Sequence, residues 1–153
     1  MMKIYNTNQE IGCRILLILN IVKDNYSIER IGYYDYFSLH FSDLKTTGKS
    51  LHPSNPNHSA EIIIKRHTIE NAVNFLIGKG LIEPQYSSQG IKYQNTYLGN
   101  KIADMFNNKY TKKYQHYVKE VDKEFSKMNE HKIREYVNKN IGKWIGEFEK
   151  NEK

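Results

Sequence analysis

From Ile11 to Val22 the apolar residues Ile11, Ile15, Ile18, Leu19 and Val22 recur at spacings of three and four, and Leu16, Leu17 and Ile21 fill most of the remaining circumference. A helix that is apolar nearly all round is stable only when other elements surround it, so this segment is expected to be the central support of the domain. Asn6 or Thr7 is placed to cap its start, and the pattern ends near Asn25. The uninterrupted apolar stretch stops at Asn20 and is far shorter than the roughly 20 residues a bilayer span needs, so no membrane segment is expected. Enough apolar material exists to cover such a helix: Ile, Leu, Val and Phe make up about a quarter of the 153 residues, above the roughly 20% typical of disordered chains. The length fits one main core and is too short for a two-domain enzyme. No small-residue cleavage site follows an apolar stretch at the N-terminus, which leaves the cytoplasm as the expected compartment. The single cysteine, Cys13, excludes an internal disulfide and a thiolate zinc cage, and its place in an apolar helix favours inert packing.

Ser27 is expected to cap a second helix, antiparallel to the first, with Ile28, Ile31, Tyr34 or Asp35, and then Tyr36, Phe37 and Leu39 on a wide aromatic face reaching about His40 or Phe41. Between Ser42 and Ser59 the periodicity ceases, and Gly48, Pro53, Pro56 and several Ser, Thr and Asn residues make a loop. Ordered loops of this length tend to have a function. Ala60 to Arg66 reads as a short helix, and Thr68 starts another that carries Ile69, Val73, Leu76 and Ile77 and stops at Gly78-Lys79-Gly80. Leu81 to Glu83 and Ile91 to Leu98 read as two strands around a polar turn. The resulting order predicts a mainly α fold with a small β-hairpin: a winged helix-turn-helix with an N-terminal helical pair, over residues 1–106. A charged amphipathic helical extension is expected over residues 107–153. Ile102, Phe106, Tyr110, Tyr114, Tyr117, Val121 and Phe125 form the stripe of one long helix, and Ile133, Val137, Ile141, Trp144 and Phe148 that of a last one capped by Ser126 or Asn129. These stripes either fold onto the core or offer part of an aromatic seam, including Tyr114 and Trp144, to a partner protein.

Chemistry has little footing in the sequence. Gly48-Lys49-Ser50 ends like a phosphate-binding loop, yet Asp43 stands where the leading glycine belongs and Leu51-His52-Pro53 follows in place of a helix start. The six histidines show no i, i+4 pair or Cys/His cluster, so no metal is expected. No nucleophile elbow or isolated carboxylate pair occurs, and a chain without catalysis or cofactor is expected. The formal charge of +6 and pI near 9.2 fit contact with nucleic acid or an acidic protein surface. Of the 23 basic residues only four are Arg, which is unlike a surface that reads bases. The segment from Ala60 to Leu98 has a net charge of +1, whereas Asn107 to Lys153 carries +4. The expected winged helix is therefore better suited to docking a protein than to reading a DNA sequence. Lys109, Lys112, Lys113 and Lys119 are the candidates for non-specific contact with double-stranded DNA, against the plainer reading of a solvated helix face.

Ser50-Leu51-His52-Pro53, then Ala60-Glu61-Ile62-Ile63-Ile64-Lys65-Arg66 and Phe75-Leu76-Ile77-Gly78-Lys79-Gly80-Leu81-Ile82, with Asp35-Tyr36 near the end of the second helix, form an ordered set. This set resembles the middle component of ABC-three-component systems, which includes the small subunit of Lamassu-type anti-phage defence. The likeness covers roughly Asn6 to Phe106. It implies a kleisin-like accessory subunit that joins an SMC-like ATPase and an effector, often a nuclease, with the nucleotide held by the ATPase. Carried onto this sequence, it marks Leu51, His52, Pro53, Glu61, Lys65 and Arg66 as bordering a subunit contact. Read without it, Lys65-Arg66 is an exposed helix end and Leu51-His52-Pro53 a structural loop. The rival expectation is a winged-helix transcription regulator that dimerises through its C-terminal helices and places Thr68 to Lys79 in a major groove.

Overall fold

The computed structural model of the chain describes residues 7–41 and 58–139, the side chains of 58–65 excepted. Among these residues are six helices and one two-stranded antiparallel sheet, a mainly helical fold. In chain order they are α1 (Asn8–Val22), α2 (Ile28–Leu39), α3 (His58–Gly78), β1 (Ile82–Ser87), β2 (Gly90–Asn95), α4 (Tyr97–Asp104), α5 (Lys109–Phe125) and α6 (130–139).

Helix α1 lies at the centre, as its sequence requires. The Thr7 side chain caps it by accepting from the Glu10 N–H, and every residue from Ile15 to Leu19 is buried. It touches α2, α3, α4, α5 and β2. Each fully buried Ile or Leu contributes about 1.5–3 kcal/mol, so this one helix carries much of the core. Ser27 caps α2 through the Arg30 N–H, and α2 buries Ile31, Tyr34, Tyr36, Phe37 and Leu39.

Helix α3 differs from expectation. The turn expected around His67 is absent: one helix of 21 residues runs from His58 to Gly78. Nothing between Lys65 and Thr68 breaks a helix, since Arg, His and Thr each cost only tenths of a kcal/mol there, and Ile69, Ala72, Val73 and Leu76 hold the segment to the core. Its end is where the glycines predict. The Leu81 N–H reaches the Leu76 carbonyl at 3.0 Å and the Gly80 N–H the Ile77 carbonyl at 3.0 Å, a paired closure that Gly80 permits with φ of +75°.

The hairpin pairs Ile82 with Asn95 through to Ser87 with Gly90. Its inner face buries Ile82 and Tyr93. Tyr93 also exchanges backbone hydrogen bonds with Tyr26 in the α1–α2 connection, at 2.8 and 3.0 Å, so a third extended segment borders β2. On the opposite edge Pro84 lacks a donor, which guards β1 against strand addition.

The long helix expected after the hairpin is two helices. Asn108 accepts from the Thr111 N–H at 2.8 Å and starts α5 afresh, while Thr96 caps α4 through the Gly99 N–H. The four-residue spacing persisted across the break because both helices face one core. That core is a single cluster: Tyr114, Val118, Val121, Phe125, Ile133 and Val137 pack with the α1 and α2 side chains. The division expected at 106/107 thus runs through one continuous interior. Asn129 caps α6 by accepting from the Lys132 N–H.

Candidate interaction surfaces

Three polar networks tie the C-terminal helices to the rest of the chain. At the deepest, Asp35 is wholly buried and accepts from Arg14 Nε at 2.8 Å, Arg14 Nη2 at 3.4 Å and the Tyr114 hydroxyl at 2.5 Å. Burial works against the charge on Arg14, but Asp35 outweighs it and holds the guanidinium above its ordinary range. Burial and the Asp35 charge together push the Tyr114 phenol well up. Arg14 is thus held as a cation and Tyr114 as a neutral phenol, and with Asp35 they form a structural joint between α1, α2 and α5. In a second network the Tyr34 hydroxyl donates to Asp122 at 2.7 Å, and Arg30 donates at 3.0 Å to the Phe125 carbonyl at the end of α5, which also accepts from the Met128 N–H. In the third, Glu29 on α2 accepts from Arg66 on α3 at 3.0 Å and from Arg134 on α6 at 2.8 Å.

These networks decide several sequence expectations. Tyr114 was expected on a partner-facing seam, but its ring is fully buried and its hydroxyl serves Asp35, so it faces the chain's own interior. Its position in the four-residue stripe was right; the face that covers it belongs to α1 and α2. The Arg66 guanidinium is engaged by Glu29 within the chain. Leu51, His52, Pro53 and Trp144 lie outside the described residues, as do the side chains of Glu61 and Lys65. Lys109, Lys112, Lys113 and Lys119 are all exposed on α5. Burial, with a smaller push from Glu10, raises the Cys13 thiol, which keeps it from the reactive thiolate form. No group of three or more potential metal ligands comes together among the described residues.

Two kinds of open surface are left. The first is apolar. Tyr86 and Ile91 sit opposite each other near the hairpin tip, 78% and 45% exposed, and Tyr97 and Leu98 are exposed on α4 with Met105 at its C-cap. Beside the hairpin a groove of about 370 Å³ runs between Ile91 and Tyr93 on β2 and Glu29, Arg66, Glu70 and Arg134 on the helices. The second is cationic: the outer side of α5, opposite its buried residues. Sequence reasoning found the α5 lysines but assigned no role to Asp35 or Arg14. The available signal was Arg14 itself, a charge set between Cys13 and Ile15 in an apolar helix, which must find a buried partner.

Among the described residues no helix is long and apolar enough to cross a membrane. No curated protein and no solved structure matches the chain significantly. A family match does exist, to the ABC-three component (ABC-3C) system Middle Component 2, over residues 4–147. It runs well past Phe106, where the likeness read from the sequence stopped, and so takes in the C-terminal helices that the buried networks join to the core. The chain belongs to this family of middle components of ABC-three-component systems.

Proposed function

We propose that the chain is a non-catalytic, kleisin-like accessory subunit that joins an SMC-like ATPase to an effector nuclease in a Lamassu-type defence complex against phage or plasmid DNA. The hairpin with its three supporting helices is read as a winged helix, with Tyr26 beside β2 as the short third strand. Nucleotide and magnesium belong to the ATPase, and this subunit contributes geometry.

The observation that carries the docking role is the exposed apolar set on the wing and α4, with Tyr86, Tyr97 and Met105 each at least 74% exposed. Aromatic residues and Met are favoured where proteins meet, and Tyr86 stands against Ile91 as a ready pair on a hairpin tip without charge. The regulator reading is weaker on the same surface. The exposed side of α3 presents Glu70, Asn71 and Asn74, which offer no cation to a phosphate, and Arg66 is held by Glu29.

The test is co-expression with the ATPase subunit of the proposed complex. The wild type is expected to co-purify with the ATPase and to hydrolyse no ATP alone. Replacing Tyr86 and Ile91 with Ser, two exposed positions, is expected to release the ATPase without unfolding the domain. Unchanged co-elution of that variant would take the wing out of the interface. A wild type that never associates with the ATPase, or binds one operator tightly as a homodimer, would end the accessory-subunit reading.

A further inference from the structure

The outer face of α5 is unusual in composition. At 3.6 residues per turn, Lys109, Lys112, Lys113, His116, Lys119, Glu120 and Lys123 fall within a sector of about 120°. That sector is opposite Tyr114, Val118, Val121 and Phe125, which are wholly buried. Its one carboxylate, Glu120, is bonded to Lys123 at 2.9 Å. Lys109, Lys112, Lys113 and Lys119 take part in no ion pair among the described residues, so four free ammonium groups line about 15 Å of helix. Of the carboxylates on other elements, Asp35 and Glu10 act on Tyr110, at the flank of this face.

We propose that this face binds the phosphate backbone of double-stranded DNA without regard to sequence. Three features of the face select that ligand. Its single exposed ring is His116, it shows no exposed aliphatic side chain, and Lys is depleted at the centres of protein interfaces, so a protein partner fits poorly. It has no Arg to fork onto base edges, which removes direct readout. Its one ring, His116, is no row of platforms on which successive unpaired bases stack, which disfavours single strands. What is left is a straight row of point charges held rigid by a helix whose other side is locked into the core, facing a polyanion with one charge per about 1.7 Å of axis. An anionic membrane surface would meet the same charges, but the apolar side of α5 is buried and cannot insert. This proposal is independent of the accessory-subunit reading, since it concerns α5 and not the wing.

The test uses the full chain, two unrelated 30-bp DNA duplexes, and anionic phospholipid vesicles, read by fluorescence anisotropy and co-sedimentation. Four released counterion sites predict equal affinity for both duplexes and a slope of log K against log salt of about −3.6, a fall of about 150-fold from 50 to 200 mM. Replacing the four lysines with Gln is expected to flatten the slope to near zero, and replacing them with Arg to restore it, with circular dichroism confirming the fold in both. No binding at 50 mM salt, a slope shallower than about −1, or a Gln variant that binds like the wild type would overturn the proposal. So would tighter binding to the vesicles than to DNA, or a strong preference for one duplex. Loss of DNA binding with ATPase association intact would mark the failure as belonging to α5 alone.

Discussion

Removing the Asp35 carboxylate by Asp35→Ala leaves Arg14 inside the core with its side chain 3% exposed and its main counterion gone. An uncompensated buried charge costs about 3–5 kcal/mol, a large share of the roughly 5–15 kcal/mol that holds a domain together. Arg14→Met leaves the opposite charge stranded and is expected to cost a similar amount. Tyr114→Phe removes a single hydrogen bond to a charged acceptor while keeping the ring, so its cost is about 1.5–3 kcal/mol. The decisive quantity is the coupling. Arg14→Met with Asp35→Ala removes both charges at once, and the double variant should be more stable than the sum of the single losses predicts by at least about 2 kcal/mol. Urea unfolding followed by far-ultraviolet circular dichroism gives all four stabilities. Two results would refute the reasoning: a loss of under about 1 kcal/mol for Asp35→Ala, or single losses that simply add. Either would mean that the charges reach water and that the joint between α1, α2 and α5 is held by packing alone.

Burial raises the phenols of Tyr34 and Tyr114 far above the ordinary value of 10.0, with bonding to Asp122 adding at Tyr34 and the Asp35 charge adding at Tyr114. Their contribution is fully present below pH 10 and is lost above it, as the unfolded chain ionises there and the folded chain does not. Each should steepen the alkaline loss of stability by about 1.4 kcal/mol per pH unit, and the Tyr34→Phe/Tyr114→Phe pair should be weaker at pH 7 yet flatter from pH 10 to 11.5; parallel curves would contradict this. A Cβ built on Gly99 falls against the Leu81 carbonyl oxygen, the same oxygen that accepts from the Thr96 N–H. Gly99→Ala is therefore expected to cost about 1–3 kcal/mol by forcing α4 off the strand entry, and a thermal midpoint unchanged within a degree would show that α4 has room to move.

Local signals in the sequence were read well where the physics is local. The caps at Thr7, Ser27 and Asn129 and the Gly80 closure each depend on a few neighbouring residues and stand in the structure among the expected candidates, whereas the two strands pair at other bounds: β1 runs on through Pro84 to Ser87, and β2 stops at Asn95, short of the expected Leu98. The two errors in helix boundaries have a common source. Thr68 and Asn108 are both able to cap, and only tertiary contacts decide which of them does. At Thr68 the core contacts of Ile69 and Val73 carried the helix through, whereas at Asn108 the cap formed and the stripe merely resumed on the next helix. Asp35-Tyr36 entered the resemblance as a pattern without a mechanism, and the mechanism lies 21 residues upstream at Arg14 and 79 downstream at Tyr114. No window of neighbouring residues contains that network.

The same distance explains why the C-terminal helices looked like an extension. Read alone, α5 is an amphipathic helix in need of a partner, with an aromatic stripe on one side and lysines on the other. Its partner is the N-terminal half of its own chain, and the partner is specified by polar groups: Asp35 for Tyr114, Tyr34 for Asp122, Arg30 for the Phe125 carbonyl. A one-residue rotation of α5 moves Tyr114 by about 100° and takes its hydroxyl away from the buried Asp35, a polar cost added to that of turning the apolar stripe out of the core. The buried network therefore fixes the rotation of the helix, and by doing so it fixes which residues face water. A lysine row becomes a surface of defined orientation only because the opposite side of the helix is pinned, so weakening the Asp35 joint should degrade DNA binding through α5 even though no lysine has been touched.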